Sequence, residues 1–177
     1  NVRIRKRYKV ARLRYLKIIA LMCLCIFATT RSALSHELWL DSKSFQIKSD
    51  EVLEIDLRNG ENFKGINLSF FSNRIKQFFW VQNGKRANVT SRMGDVPAMR
   101  VNMEHDGLVS VVYESTPSFL TYTEWKKFTD FVTHKDLGDA LKQHSANGWP
   151  KDRFTEVYHR YSKALVGVGA ADGTDQN

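Results

Sequence analysis

Short strand-like segments separated by turn residues dominate positions 39–113 and restrict the fold more than any other feature. The clearest of them, residues 52–58 (VLEIDLR), has the period of two that is typical of a half-buried β-strand. At least seven such segments occur within about 75 residues, and Asn-Gly pairs at 59–60 and 83–84 predict turns between some of them. We therefore predict a mainly β protein with an immunoglobulin-like antiparallel β-sandwich over residues 36–118.

The pattern changes to helical spacing after residue 118. A capping box at Thr121-x-x-Glu124 predicts the start of one helix, and Asp136 predicts the start of a second, shorter one. Trp149-Pro150 predicts the start of a third helix, whose apolar stripe consists of Phe154, Val157, Tyr158, Tyr161 and Leu165. We predict a short α-helical segment over residues 119–166 that packs on the sandwich. Residues 167–177 are expected to form a linker or a truncated end.

The first 35 residues have the three parts of a secretory signal peptide. Residues 1–17 are basic, residues 18–27 are apolar, and Ala33-x-Ser35 matches a cleavage site. An apolar core of this length is too short for a membrane-spanning helix, which takes about 20 residues. We expect cleavage after Ser35, a periplasmic location and no membrane span afterwards. The alternative is an uncleaved anchor.

The chain's charge and its cysteines are both concentrated in this leader. Nine of the 27 basic residues lie in positions 1–35, which contain no acidic residue. The remaining 18 basic and 19 acidic residues give the region 36–177 a formal net charge of −1. A nearly neutral domain is not typical of nucleic-acid binders, so we expect no nucleic-acid partner. Both cysteines, Cys23 and Cys25, also precede residue 36, which excludes disulfides and thiolate metal sites after it.

His36 is the candidate for unusual chemistry, because cleavage after Ser35 would make it the first residue. A terminal amine has a pKa low enough to be partly deprotonated near neutral pH, and with its own imidazole it can chelate a metal. A second histidine, His105 or His134, would complete a three-nitrogen set suited to Cu, Ni or Co. The alternative is that His36 merely begins the chain. We expect the other two, His144 and His159, to be surface or capping residues on helices.

Three segments resemble the domain-of-unknown-function 4198 family. They are His36-Glu-Leu-Trp-Leu40, Arg58-Asn-Gly-Glu-x-Phe-x-Gly65 and Glu156-x-Tyr-x-Arg-Tyr-Ser-Lys-Ala-Leu-x-Gly167, and the resemblance extends over residues 36–170. Members are exported β-sandwich proteins, and some are described as periplasmic components of nickel or cobalt uptake systems. The resemblance therefore implies an accessory protein whose partner is an inner-membrane metal importer. For Arg160 and Lys163, which match the third segment, we favour a structural salt-bridge role over catalysis.

Three classes of function remain open. The first is a periplasmic accessory or binding protein for Ni, Co or Cu, with His36, His105 and His134 as candidate ligands. The second is a metal-independent interaction module that binds protein or glycan through exposed aromatic residues such as Trp80, Trp125 or Trp149. The third, an enzyme such as a copper oxidase, is the least favoured. Because no phosphate loop, GxSxG or HExxH motif is present in the sequence, we predict no enzymatic activity.

Overall fold

The computed structural model describes residues 36–171, which are mainly β. The strands are β1 (Glu37–Asp41), β2 (Gln46–Ile47), β3 (Glu51–Glu61), β4 (Lys64–Leu68), β5 (Ile75–Gln82), β6 (Lys85–Asn88), β7 (Met99–Met103), β8 (Gly107–Ser115), β9 (Ser118–Tyr122), β10 (Phe154–Tyr158) and β11 (Tyr161–Val168). A 3-10 helix (Ser72–Arg74) precedes β5, and α1 (Trp125–His134) and α2 (Ala140–Ala146) lie between β9 and β10. The predicted signal peptide and its cleavage site, and the last six residues of the predicted tail, lie outside the described residues.

Two β-sheets pack face to face around one apolar core. In the first sheet β3 is central, pairing with β1, β4 and β7. The second sheet has the order β2-β11-β8-β5-β6, and every pair except β2–β11 is antiparallel. Alternate residues of the central strands, such as Ile55, Val109 and Val111, are completely buried between the sheets. The predicted antiparallel β-sandwich followed by a short helical part is confirmed. No helix within residues 36–171 is long and apolar enough to cross a membrane.

The prediction of a third helix after Trp149 is wrong. The chain there forms β10 and β11, and β11 pairs with β8 along its whole length. The five residues of the predicted stripe do not form one buried face, since Val157, Tyr161 and Leu165 are exposed. In β11 the buried apolar side chains instead alternate, and Ala164, Val166 and Val168 face the core with the period of two of a strand. A strand from beyond residue 118 therefore completes the sandwich, and it continues to Val168, two residues into the predicted tail.

The predicted turn at Asn59-Gly60 is also wrong, because β3 continues through both residues to Glu61. The chain turns instead at Asn62 and Phe63, whose φ angles are 51° and 57°. Gly60 stands opposite Gly65, and a Cβ on Gly60 would overlap the backbone of β4. Glycine is used here for close approach of two strands. The other predicted turn, at residues 83–84, is confirmed, with φ angles of 50° and 72°.

The two helices form a second apolar cluster with the two-stranded ribbon of β9 and β10. Helix α1 is present and begins at Trp125, but the predicted capping box is wrong because Thr121 lies in β9, opposite Thr155. Tyr122, Phe128 and Val132 are the buried members of this cluster. The second helix has Asp139 and not Asp136 as its N-cap, three residues later than predicted, because Asp136 and Gly138 adopt left-handed φ angles of 49° and 55°.

His144 lies inside this second cluster, so the expectation of a surface position is wrong. Its side chain is only 3% exposed, and the Phe154 ring centroid lies 4.5 Å from that of the imidazole. Its Nε2 is 2.9 Å from the carbonyl oxygen of Pro150. The aromatic surroundings and this one polar contact make His144 a core residue.

Candidate functional site

His36 lies at the end of β3 where the strand turns into β4. The β1–β3 register pairs Glu37 with Gly60, and continuing it by one residue puts His36 opposite Glu61. Directly opposed residues in antiparallel strands have Cβ atoms about 5 Å apart on the same face. Asn59 is on that face too, and its Nδ2 is 3.3 Å from the Nδ1 of His36. The first described residue is thus held against the end of β3.

Helix α1 brings His134 to the same place. The Nε2 of His134, the last residue of α1, is 3.6 Å from the Oε1 of Glu61. The next residue, Lys135, places its Nζ 3.0 Å from the Oε1 of Glu37. These two contacts attach the end of the helix to the ends of β1 and β3. His36, Asn59, Glu61 and His134 together are called the β3-end cluster below.

His105 is not brought to this cluster. It follows β7, whose last residue, Met103, pairs with Glu51 at the other end of β3. Nine residues separate Glu51 from Gly60, which corresponds to about 30 Å along a strand. The expectation that His159 lies on a helix is wrong, because it lies between β10 and β11, where its ring stacks on that of Tyr161 with centroids 6.2 Å apart. Of the three candidate ligands, His36 and His134 therefore lie at the same end of β3, each in contact with a different residue of that strand.

The side chains of the cluster do not form a preassembled metal site. No three His, Cys, Asp or Glu side chains in residues 36–171 are grouped closely enough to hold a metal ion. Two further atoms could coordinate a metal, however. The amine of His36 would be freed by the predicted cleavage, and the buried Oδ1 of Asn59 accepts no hydrogen bond from the described residues. A buried hydrogen-bond acceptor without a partner lowers the stability of a folded protein. The unpaired Oδ1 of Asn59 therefore favours a bound group, such as a metal ion, at this position.

Arg160 holds His36 from the second sheet. Its backbone N–H donates to the Oγ of Ser115, and its carbonyl accepts from the Ser115 N–H, both at 2.9 Å. Its guanidinium lies over the Tyr158 ring at 5.2 Å and donates to the carbonyl oxygen of His36 at 3.4 Å. Arg160 thus orients the residue that would carry the free amine. Lys163 lies further along β11, opposite Val112.

A family model described as a domain of unknown function (DUF4198) matches residues 33–177. The chain belongs to the DUF4198 family. The match begins before His36 and contains all four residues of the β3-end cluster. Comparisons with curated proteins and with solved structures give no match.

Glu156 is a polar residue of this DUF4198 domain that lies outside the β3-end cluster. The sequence alone did not indicate that its carboxyl group is unusual. It shares one face of the β9–β10 ribbon with Tyr122, the face that packs on the helices. Burial raises the pKa of the Glu156 carboxyl, and the neighbouring Tyr122 hydroxyl offsets only part of this effect. Burial, together with the charge of Glu156, raises the pKa of Tyr122 as well. Ionised Glu156 is therefore unfavourable in the folded protein.

We expect Glu156→Gln to be more stable than the wild type at pH 7. A carboxyl whose pKa is raised by folding stabilises the protein fully below its unfolded pKa of about 4.3. That contribution is lost as the pH rises through the folded pKa. The advantage of the variant should therefore disappear below about pH 4, which urea denaturation at a series of pH values would measure.

Glu114→Gln is the matched control for this prediction. A hydrogen bond from Lys76 lowers the pKa of Glu114, so its charged form stabilises the fold above the unfolded pKa. The control should therefore lose stability at pH 7, in the opposite direction. A Glu156→Gln variant that is less stable than the wild type at pH 7 would contradict the claim that ionised Glu156 destabilises the folded protein.

Proposed function

We propose that this DUF4198 protein is an exported accessory protein that binds Ni, Co or Cu in the periplasm for an inner-membrane importer. The observation that carries this proposal is that His36 and His134 both lie at one end of β3. The two histidines are separated by most of the described chain, and both contact neighbouring residues on one face of that strand. Their proximity is what a terminal chelate with a third nitrogen ligand requires.

The chemistry depends on cleavage after Ser35. A terminal amine with a pKa near 8 is partly neutral at pH 7 and can then donate its lone pair to a metal. With the His36 imidazole it would form one chelate ring, and His134 would supply the third nitrogen. Such nitrogen sets suit Ni, Cu and neighbouring first-row divalent ions.

The test is metal binding by protein processed from its native leader. The mature amino terminus would be sequenced, and the purified protein titrated with Ni²⁺, Co²⁺ and Cu²⁺. We expect a terminus at His36 and binding at micromolar metal. One additional residue before His36 should remove tight binding because it converts the amine into an amide. A terminus elsewhere, or no binding at micromolar metal, would overturn the proposal.

His134→Ala and His105→Ala are the matched pair for this test. Loss of even an outer-shell partner weakens metal sites by about 10- to 100-fold, so His134→Ala should lower the affinity at least tenfold. His105→Ala removes the same side chain at the other end of β3 and should leave the affinity unchanged. Equal effects of the two substitutions would exclude the β3-end cluster as the site.

A metal-independent interaction module is the second candidate, and exposed apolar residues favour it. Of the three tryptophans considered above, Trp149 is the most exposed, at 56%, while Trp80 and Trp125 are partly buried. On the outer face of the β9–β10 ribbon, Phe119 is 71% exposed, beside exposed Val157. Adjacent apolar side chains of this kind are typical of contact surfaces. This candidate predicts partner binding that persists in a metal chelator, with no metal bound to the purified protein.

A further inference from the structure

Glu61 occupies the centre of the β3-end cluster. It stands opposite His36 when the β1–β3 register is continued, and its carboxylate is 3.6 Å from the imidazole of His134. The side chain of Glu61 is about three-quarters buried, whereas that of His134 is half exposed. The Glu61 carboxylate is therefore held in a less exposed position than the His134 imidazole that it contacts.

We propose that Glu61 is an anionic oxygen ligand of the site, which makes the site selective for divalent cations over Cu⁺. This inference rests on the metal-binding function proposed above and adds a residue and a class of ion to it. Imidazole and amine nitrogens bind both Cu⁺ and divalent ions, whereas a carboxylate oxygen is a hard ligand that favours divalent ions. A ligand set of three nitrogens and one carboxylate thus distinguishes the two oxidation states of copper.

The charges around the cluster support an anionic ligand. The guanidinium of Arg160 donates to the backbone of His36, so it lies close to any cation bound there. Lys135 adds a second positive charge, but this charge is paired with Glu37. Neutral nitrogen ligands would leave the full charge of a divalent ion next to Arg160. The Glu61 carboxylate offsets that repulsion.

An ion pair between Glu61 and His134 alone would contribute little, because one partner is half exposed. A structural role for Glu61 therefore predicts a small effect on stability and none on metal selectivity. A ligand role predicts a large effect on affinity that differs between divalent ions and Cu⁺. The two roles are distinguished by binding measurements on the same variant.

The experiment compares mature wild-type protein with Glu61→Gln and Glu51→Gln. Each would be titrated with Ni²⁺ and Cu²⁺, and with Cu⁺ against a chromogenic Cu⁺ chelator. Glu61→Gln should lower the Ni²⁺ affinity at least about tenfold. It should lower the Cu⁺ affinity less, so that the preference for divalent ions falls, and the EPR spectrum of bound Cu²⁺ should change. Glu51→Gln, at the other end of β3, should change none of these values.

The possible results separate this inference from the function on which it rests. If the wild type binds metal and Glu61→Gln binds it equally well, Glu61 is not a ligand, although the proposed function stands. If the wild type binds no metal, both fail. Should Glu61→Gln not fold, Glu61→Asp keeps the charge but withdraws the oxygen by one methylene. It should bind Ni²⁺ more weakly at unchanged stability, and equal affinity would overturn the inference.

Discussion

Replacing Gly60 by Ala should lower the free energy of unfolding by about 3 kcal/mol and remove tight metal binding. A Cβ at this position would overlap the carbonyl oxygen of Lys64 and the Cα of Gly65, both backbone atoms of β4. Relief would require β3 and β4 to separate, at the cost of the hydrogen bonds between them. Gly60 lies between Asn59 and Glu61, so the same displacement would disturb two members of the β3-end cluster.

Gly84→Ala is the control for this prediction. Gly84 has a φ angle of 72°, and a Cβ there would meet no atom within 4 Å. Its substitution should lower the free energy of unfolding by only about 1–2 kcal/mol, which is the cost of a left-handed φ angle for alanine. The metal affinity should be unchanged. Urea denaturation and Ni²⁺ titration of both variants would measure the difference. A Gly60→Ala protein as stable as Gly84→Ala would mean that the two strands do not approach so closely.

Phe128→Ala should destabilise the protein by about 3–5 kcal/mol, the usual cost of removing a buried aromatic ring. Phe128 is buried at the centre of the helical cluster. Its ring centroid lies 5.0 Å from that of Phe154 and 5.1 Å from that of Tyr122, both on the β9–β10 ribbon. The ring therefore joins α1 to the ribbon, and its removal leaves a cavity between them.

The same substitution should weaken metal binding, because α1 carries His134 at its end. If α1 packs loosely, His134 is no longer held beside Glu61, and the affinity for Ni²⁺ should approach that of His134→Ala. Phe128→Leu, which retains most of the volume, should cost less than about 1.5 kcal/mol and keep the affinity. Denaturation followed by tryptophan fluorescence would measure stability. A loss under about 1 kcal/mol in Phe128→Ala would contradict the central position of this ring.

A strand was predictable where the residue pattern within one short segment is enough to identify it. Residues 52–58 alternate with period two, and the structure confirms them as part of β3. The residues of β11 could not be assigned in the same way. Their apolar run is compatible with a helix or a buried strand, and pairing with β8 decides between the two. That pairing joins distant parts of the chain, so no local period indicates it.

The candidate site was only partly predictable for the same reason. His36 was identifiable from its position after the predicted cleavage site, which is a property of the local sequence. The choice between His105 and His134 was not, because it depends on which end of β3 each residue reaches. Glu61 lay within a family-like segment, but only the continued β1–β3 register and the contact with α1 put it opposite His36 and beside His134.

The sequence by itself determined the class of fold, the concentration of positive charge and cysteine in residues 1–35, and the candidacy of His36. These depend on composition and on spacing over a few residues. The tertiary structure alone decided that β11 is a strand, that Gly60 serves close packing instead of a turn, and that His134 reaches the same end of β3 as His36. Each of these depends on a partner far away in the chain, because strand pairing and side-chain packing are selected by the whole fold and not by neighbouring residues.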